Sequence, residues 1–412
     1  MNSLRVHAGA LTGIALAFML GPAVRAAATD DPAVQQAARD GRRFAVDLYE
    51  RLAADSGNFF YSPWSARTAL LMTYAGARGQ TEQAMSRALH DSLGQAAVHL
   101  ATSLIDAELR DATGGTHSPG VELLTANAVW VASNLRLDPA FPDTLTARYS
   151  APPLRIRFGD PESARATING WVEEQTRSRI RELIPSGAVS GDTRLVLCNA
   201  IYFRASWSDS FSVGDTRDSL FHLRGSATVT VPFMHANRVL RYAENRDLQV
   251  LELPYRGRRL AMLILLPRAV DGLETLEREL NADSLSAWMS RVEGAYVHLT
   301  MPRFRIEDEF RLAHPLIEMG MQDAFGPGAD FTGITSERPL FISEVYHKTF
   351  VAVEERGTEA AAATAVVHTR GGGELLTRRQ PVTFTADRPL LFLIFHPATG
   401  TILFMGRLAD PR

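Results

Sequence analysis

Two acidic stretches hold side chains that could exchange protons: Glu307, Asp308 and Glu309 in IEDEF, and Glu354 and Glu355 in VEER. Neighbouring carboxylates can act as acid and base when their surroundings separate their pKa values. More often such runs form a solvated face. Cys198 lies inside LVLCNAIYF, an apolar setting that favours a buried, inert thiol over a nucleophile. All but one of the 43 basic residues are arginine, and the sole lysine, Lys348, stands in YHKTF. That setting matches neither a phosphate loop, nor a Ser-x-x-Lys pair, nor a Schiff-base lysine. GARGQT resembles a phosphate loop without its lysine and reads as a turn between helices. The 11 histidines lack metal-ligand spacing, and no nucleophile elbow, His-Glu-x-x-His or Cys-x-x-Cys is present. These residues converge on no catalytic centre, metal or cofactor. An exported hydrolase stays open only as the class to which many exported chains of this size belong.

The elements that position these residues read as one α+β domain over residues 29–412. At 412 residues, 46% hydrophobic and 22% charged, the chain can build a large core, and a net charge of -3 argues for no nucleic-acid partner. Arg5 and His7 precede the apolar run AGALTGIALAFML, followed by Gly21, Pro22 and AVRAAAT, so residues 1–28 read as a secretory signal cleaved after Ala26 or Ala28. The expected location is periplasmic or extracellular, with no membrane attachment after cleavage, and the expected state is monomeric. Ser62 and Pro63 open one helix, ended by Gly76 and Gly79, while Asp160 and Pro161 open another. RLVLCNAIYF and LAMLILLP read as strands covered on both faces, VELLTANAVWV, VHLTMPRFRI and LFISEVYHKTFVAVEE as long strands, and PLLFLIFHPATGTILFMGRL as a hairpin turning at Pro397 to Gly400.

One segment fits no element. GTEAAAATAVV, from Gly357, joins a helix-favouring run of four alanines to strand-favouring Thr364, Val366 and Val367, and a polar glycine-rich stretch follows. By itself it reads as a short helix or a solvated loop.

The blocks NFFYSPWSARTALLMTYAGARGQTEQAM, NAVWV, INGWVEEQT, LVLCNAIYFRASW, LELPYRGRRLAMLILLP, PRFRIEDEFRL, GMQDAF, ADFTGIT, VYHKTFVAVEERGTEAAAATAV and FTADRPLLFLIFHPATGTILFMGRLADP occur in the order found in serpins, from about residue 40 to the C-terminus. The chain thus resembles an exported, bacterial-type member of that family of serine protease inhibitors. The resemblance implies a metastable α+β fold of about nine helices around three β-sheets, with an exposed reactive loop at about residues 356–380. A protease cleaves the loop, and while it is still acyl-linked the loop's N-terminal arm enters the large sheet as a new strand.

That mechanism implies roles for individual residues. Gly357 is the pivot of a hinge formed with Thr358, Glu359, Ala360, Ala361, Ala362, Ala363 and Thr364. Alternation places Thr358, Ala360, Ala362 and Thr364 on one face, which the inserted strand would turn to the core. Ser62, Ser65, Asn199 and His347 match the polar cluster under the point where the sheet parts, and Trp207, Arg303 and Glu355 match the region where the loop first enters. Arg303 replaces the lysine common in relatives, a change that keeps the charge and alters the geometry. Counting on from the pivot ends at Gly371, whose neighbour Arg370 would suit a trypsin-like protease. Counting back from FTADRP ends at Leu375 or Leu376, suited to subtilisin-, chymotrypsin- or elastase-like enzymes. No cofactor is expected, because SLGQAAVHLATSLIDAELRD, where some relatives bind polyanions, has Arg110 as its only strong base. A non-inhibitory carrier, chaperone or storage protein remains the alternative; such members carry bulky or charged hinge residues, which Thr358 and the alanines are not.

Overall fold

The computed structural model describes residues 29–53, 56–113, 120–337, 339–358 and 380–412. The segment 1–28, the hinge from Glu359 to Thr364, and the bond candidates Arg370, Gly371, Leu375 and Leu376 lie outside the described residues.

The first helices follow their capping chemistry. Helix α1 (Pro32–Leu52) is capped by Asp31, whose carboxylate accepts from the Ala33 amide at 2.7 Å. After the short strand β1 (Phe59–Tyr61) comes α2 (Pro63–Tyr74), where the Ser62 hydroxyl accepts from the Ser65 amide at 3.1 Å. All of α2 is buried, as expected of a helix with little polar character on any side. It stops at Tyr74, before the expected Gly76, and Gly79 begins α3 (Gly79–Ala88). Helix α4 spans Gln95–Thr113.

The large sheet has strand order β10-β11-β12-β4-β2-β3. Here β2 is Val121–Ala132, β3 Leu154–Ile156, β4 Leu195–Ser206, β10 Phe304–Arg311, β11 Val345–Glu354 and β12 Gly357–Thr358. Helix α5 (Ala140–Tyr149) leads into β3, and α6 (Pro161–Gln175), capped by Asp160, packs against β2. The apolar run of β4 is buried from Leu195 to Phe203, in keeping with a strand covered on both faces.

The second network has the order β1-β15-β14-β8-β7-β6-β9-β13, with β5 paired to β6. Its strands are β5 (Arg217–His222), β6 (Thr228–Glu244), β7 (Leu248–Pro254), β8 (Ala261–Pro267), β9 (Glu293–Pro302), β13 (Val382–Thr385), β14 (Leu390–His396) and β15 (Thr401–Leu408). Helices α7 (Leu273–Glu279) and α8 (Ala282–Ser290) lie between β8 and β9, and the single turn α9 (Ala313–Leu316) follows β10. The 17-residue β6 pairs with β5, β9 and β7 in turn, so two of the three expected sheets share one continuous strand. VHLTMPRFRI is not a single strand: it breaks at Arg303, leaving β9 in this network and β10 in the large sheet.

Helix α2 packs between the two networks, touching β15 on one side and β2 and β4 on the other. Beside it an aromatic cluster closes the core. Phe404 stacks on Phe60 at 5.0 Å and tilts onto Phe203 at 5.7 Å, and Phe392 stacks on Phe60 from the other side at 5.7 Å. Truncation of Phe404 to alanine empties the centre of this cluster and should cost about 3–5 kcal/mol. The expected outcome is a marked fall in the urea midpoint of unfolding with the far-ultraviolet circular dichroism of the native state unchanged.

Candidate functional site: the seam of the large sheet

The seam between β4 and β11 has two zones. In the lower zone the strands pair in parallel, from Val345 opposite Leu197 to Phe350 opposite Tyr202. In the upper zone the chain turns through Glu355 and Arg356 and comes back as β12, wedged between them. Thr358 pairs with Val353 on one side and Ala205 on the other, and Gly357 with Glu354 and Ser206. The first two hinge residues are therefore already a central strand, with Phe203 and Arg204 of β4 and Val351 and Ala352 of β11 between the two zones.

The turn requires glycine at 357. A Cβ there would stand 1.9 Å from the Ala205 carbonyl oxygen and 2.6 Å from the Ser206 Cα, so no side chain fits without moving β4. Thr358 is fully buried, and its hydroxyl lies 2.7 Å from the Tyr255 hydroxyl. Tyr255 stacks on Trp207 at 4.6 Å. The segment from Trp207 to Phe211 grips three successive carbonyls of the turn. The Trp207 indole donates to Glu354 O at 2.9 Å, the Phe211 amide to Glu355 O at 2.8 Å, and the Trp207 amide to Arg356 O at 2.9 Å.

Glu355 fastens the turn from its other side. Its carboxylate accepts from Arg303, through Nε at 2.7 Å and also Nη2, and from the Thr216 hydroxyl at 2.5 Å. Burial alone would raise this carboxyl, but these charge-assisted hydrogen bonds outweigh it and hold Glu355 below the usual carboxylate range. The break at Arg303 is what aims the guanidinium here instead of into a ladder position.

In the lower zone Ser62, Ser65, Asn199 and His347 come together, all fully buried. The Ser62 amide donates to His347 Nε2 at 2.9 Å, so the neutral ring carries its proton on Nδ1 and donates it to Asn199 Oδ1. The Asn199 amide donates to Ser65 Oγ and to Asn127 Oδ1, both at 2.6 Å, and Ser65 Oγ donates to Asn127 Oδ1 at 2.8 Å. Ser62 Oγ donates to Leu403 O at 2.6 Å, tying the cluster to the second network. His347 and Asn199 face each other in the strand register, so their bond spans the seam.

The expected groups thus assemble at two levels, with Trp207, Arg303, Glu355, Gly357 and Thr358 above and Ser62, Ser65, Asn199 and His347 below. Sequence reasoning missed Asn127, Tyr255 and Thr216. An asparagine flanked by alanines at the start of the apolar half of β2 was a usable signal for Asn127; Tyr255 and Thr216 carry none. It also misread IEDEF. Asp308 accepts from the Phe60 amide at 2.7 Å, with burial raising its carboxyl, while Thr349 donates to Phe60 O at 2.5 Å, so this acid pins β1 under the sheet. Only Glu307 and Glu309 face solvent, and both pair with Lys348, at 3.7 and 3.5 Å. Cys198 is fully buried, which raises its thiol and leaves it inert as expected.

Burial pushes His347 down to about 3. Unfolded, the ring takes a proton below about 6.5. The unfolded state therefore binds more protons than the native state across that window, and stability falls as the pH drops from 6.5 toward 3. Burial pushes His99 and His396 down to about 4, adding terms of the same sign. Replacing His347 with glutamine removes one term and keeps an acceptor for the Ser62 amide. The fall in denaturation midpoint between pH 7 and pH 5 should be smaller in His347→Gln than in the parent chain; equal slopes would exclude this account.

The family model described as Serpin (serine protease inhibitor) matches residues 39–411. An uncharacterized serpin-like protein of Thermococcus kodakarensis is 41% identical over 370 residues, covering 90% of this chain and 84% of that protein. The leukocyte elastase inhibitor of Sus scrofa is 38% identical over 391 residues, covering 92% of this chain and all of the relative. Among solved structures, Serpin48 of the insect Tenebrio molitor, 30% identical, superposes with a TM-score of 0.81 over 93% of this chain and 99% of its own. With the match running through both levels of the seam, the chain belongs to the serpin family.

Proposed function

We propose that this protein inhibits serine proteases by a covalent trap in which the reactive loop, once cleaved, completes the strand that Gly357 and Thr358 begin. The single observation that carries this reading is the wedge itself: β12 occupies a central position in the large sheet with the unclosed stretch of the seam directly below it. The name of the leukocyte elastase inhibitor, aligned over its whole length, supports a protease as the target.

In the proposed reaction the protease serine attacks the carbonyl carbon of the bait residue, and the amine of the next residue leaves with a proton. The ester that remains tethers the enzyme. Insertion then has to outrun hydrolysis. Its driving force is backbone pairing on both edges of the new strand and burial of small side chains between β4 and β11, which must part where they now pair. Trp207, Tyr255, Thr216, Arg303 and Glu355 would set how readily the top opens, and the His347–Asn199 pair how far the opening runs.

The register favours Arg370 as bait. Carrying on from Gly357 opposite Ser206 and Thr358 opposite Ala205, His368 comes opposite Leu195, the first residue of β4. A bond after Arg370 leaves a tether two residues past the end of the seam, whereas a bond after Leu375 adds five more and Gly371 to Gly373 as slack. A short tether pulls the enzyme hard against the far end of the sheet. Incubation with trypsin should give a complex that survives boiling in denaturant, and mass spectrometry should find a released C-terminal fragment beginning at Gly371. A fragment beginning at Leu376 or Thr377 from a complex with subtilisin or elastase would move the site. Plain degradation by every protease tested would favour the carrier or storage role.

Thr358 offers a test of insertion apart from recognition. Its side chain is fully buried against Tyr255, so arginine there places an unpaired charge in the core at a cost of several kcal/mol. Thr358→Arg should be cleaved at the same bond as the parent with the stoichiometry of inhibition raised several-fold; an unchanged stoichiometry would remove the hinge from the mechanism.

A further inference from the structure

The segment that grips the turn at Glu354 to Arg356 covers a cation with two buried nitrogens that bond to no acid. Along one side β6 pairs with β9 from Phe233 to Tyr242, but on the other side β5 reaches only Phe233 and β7 begins only at Arg241. Arg238 comes from the stretch between. Its guanidinium lies over the Phe211 ring, with Cζ 4.5 Å from the centroid, and Nη1 donates to the Asp209 carbonyl. Nε and Nη2 are buried and have no hydrogen-bond partner.

These two nitrogens are one functional unit. In a guanidinium the Nε–H and Nη2–H point the same way and form the side-on fork that matches the two oxygens of a carboxylate. The chain presents that same fork to both oxygens of a carboxylate in Arg412, on Asp410, and to a single carboxylate oxygen in Arg303, on Glu355. No acid of the described residues completes it at Arg238: Asp209 supplies only its backbone oxygen, and its exposed carboxylate attracts the cation without bonding to the fork. Buried donors of a charged group without acceptors are strongly disfavoured, and an oxyanion relieves them directly.

We propose that the Nε and Nη2 fork of Arg238, beneath the loop at residues 208–212, is a receptor for a small free carboxylate of the size of acetate. The size follows from access. Neither nitrogen reaches the surface, which excludes the side chains of a docking protein; entry requires the covering loop, exposed from Asp209 to Asp215 except at Phe211, to move, and limits the ligand to a few heavy atoms. Occupied, the fork would tie the loop to β6, and because the Phe211 amide holds Glu355 O, the anion would brace the turn ahead of the hinge. That consequence rests on the inhibitory reading; the binding itself does not.

Binding is tested on the full chain labelled with 15N-arginine, titrated with sodium acetate at an ionic strength held constant with sodium chloride. One Nε–H resonance, absent from the Arg238→Lys spectrum, should shift saturably. The melting temperature should rise by roughly 1–3 °C in the parent and not in Arg238→Lys, which keeps the charge but lacks the fork. A melting response equal in both proteins overturns the proposal, as does a response to sulfate that exceeds the response to acetate. If Arg238→Lys does not fold, the parent chain still decides: no saturable shift of any arginine Nε–H under acetate, or a crystal grown in acetate with the anion bound elsewhere and the fork empty, overturns it.

Discussion

The hydrogen bond from His347 to Asn199 is the constraint on which the rest of the molecule depends, because it crosses the parallel boundary between β4 and β11 from within a buried polar cluster. Everything below it is closed. Above it the pairing continues to Phe350 opposite Tyr202, and beyond that the strands diverge around β12. A neutral imidazole is the right group for this place: it offers one donor and one acceptor in opposite directions, joining Asn199 of β4 to the Ser62 amide at the start of α2. A second proton would leave the ring with no acceptor site for that amide, in an environment that already disfavours charge.

The two ends of the seam are held by different physics. Below, five neutral side chains satisfy one another, and the four other than Asn127 are fully buried, with no alternative partner in water. Above, the hold is a tight backbone turn gripped at three carbonyls and one ion pair that is exposed on the arginine side. A charge pair at the edge of solvent and a few backbone bonds yield more readily than a sealed network. The upper end of the seam is therefore held less firmly than the lower.

Residues that looked capable of chemistry turn out to be committed to this frame. Asp308 and Thr349 fasten β1 by its amide and carbonyl, Lys348 is divided between two glutamates and the Arg181 carbonyl, and the Cys198 thiol is sealed beside the seam. Each of them is spent on packing or fastening the large sheet.

Much of this was legible in the residues alone, wherever the governing interaction is local. Ser62 and Asp160 cap the helices that their positions announced, the apolar run of β4 is buried on both faces, and Gly400 turns the last hairpin at a φ of +69°. Other features exist only once distant segments meet. Pro302 is a local signal for the break before Arg303, but only the fold brings Glu355, 52 residues on, to accept the Arg303 guanidinium. Asn127 acquires its role from Ser65 and Asn199, and β6 joins two sheets because its length lets three strands pair with it in turn. The wedge at Gly357 is the clearest case. The sequence determined that this residue has no side chain, but only the packed sheet, which brings the Ala205 carbonyl to within 1.9 Å of where a Cβ would stand, decided that none could be there.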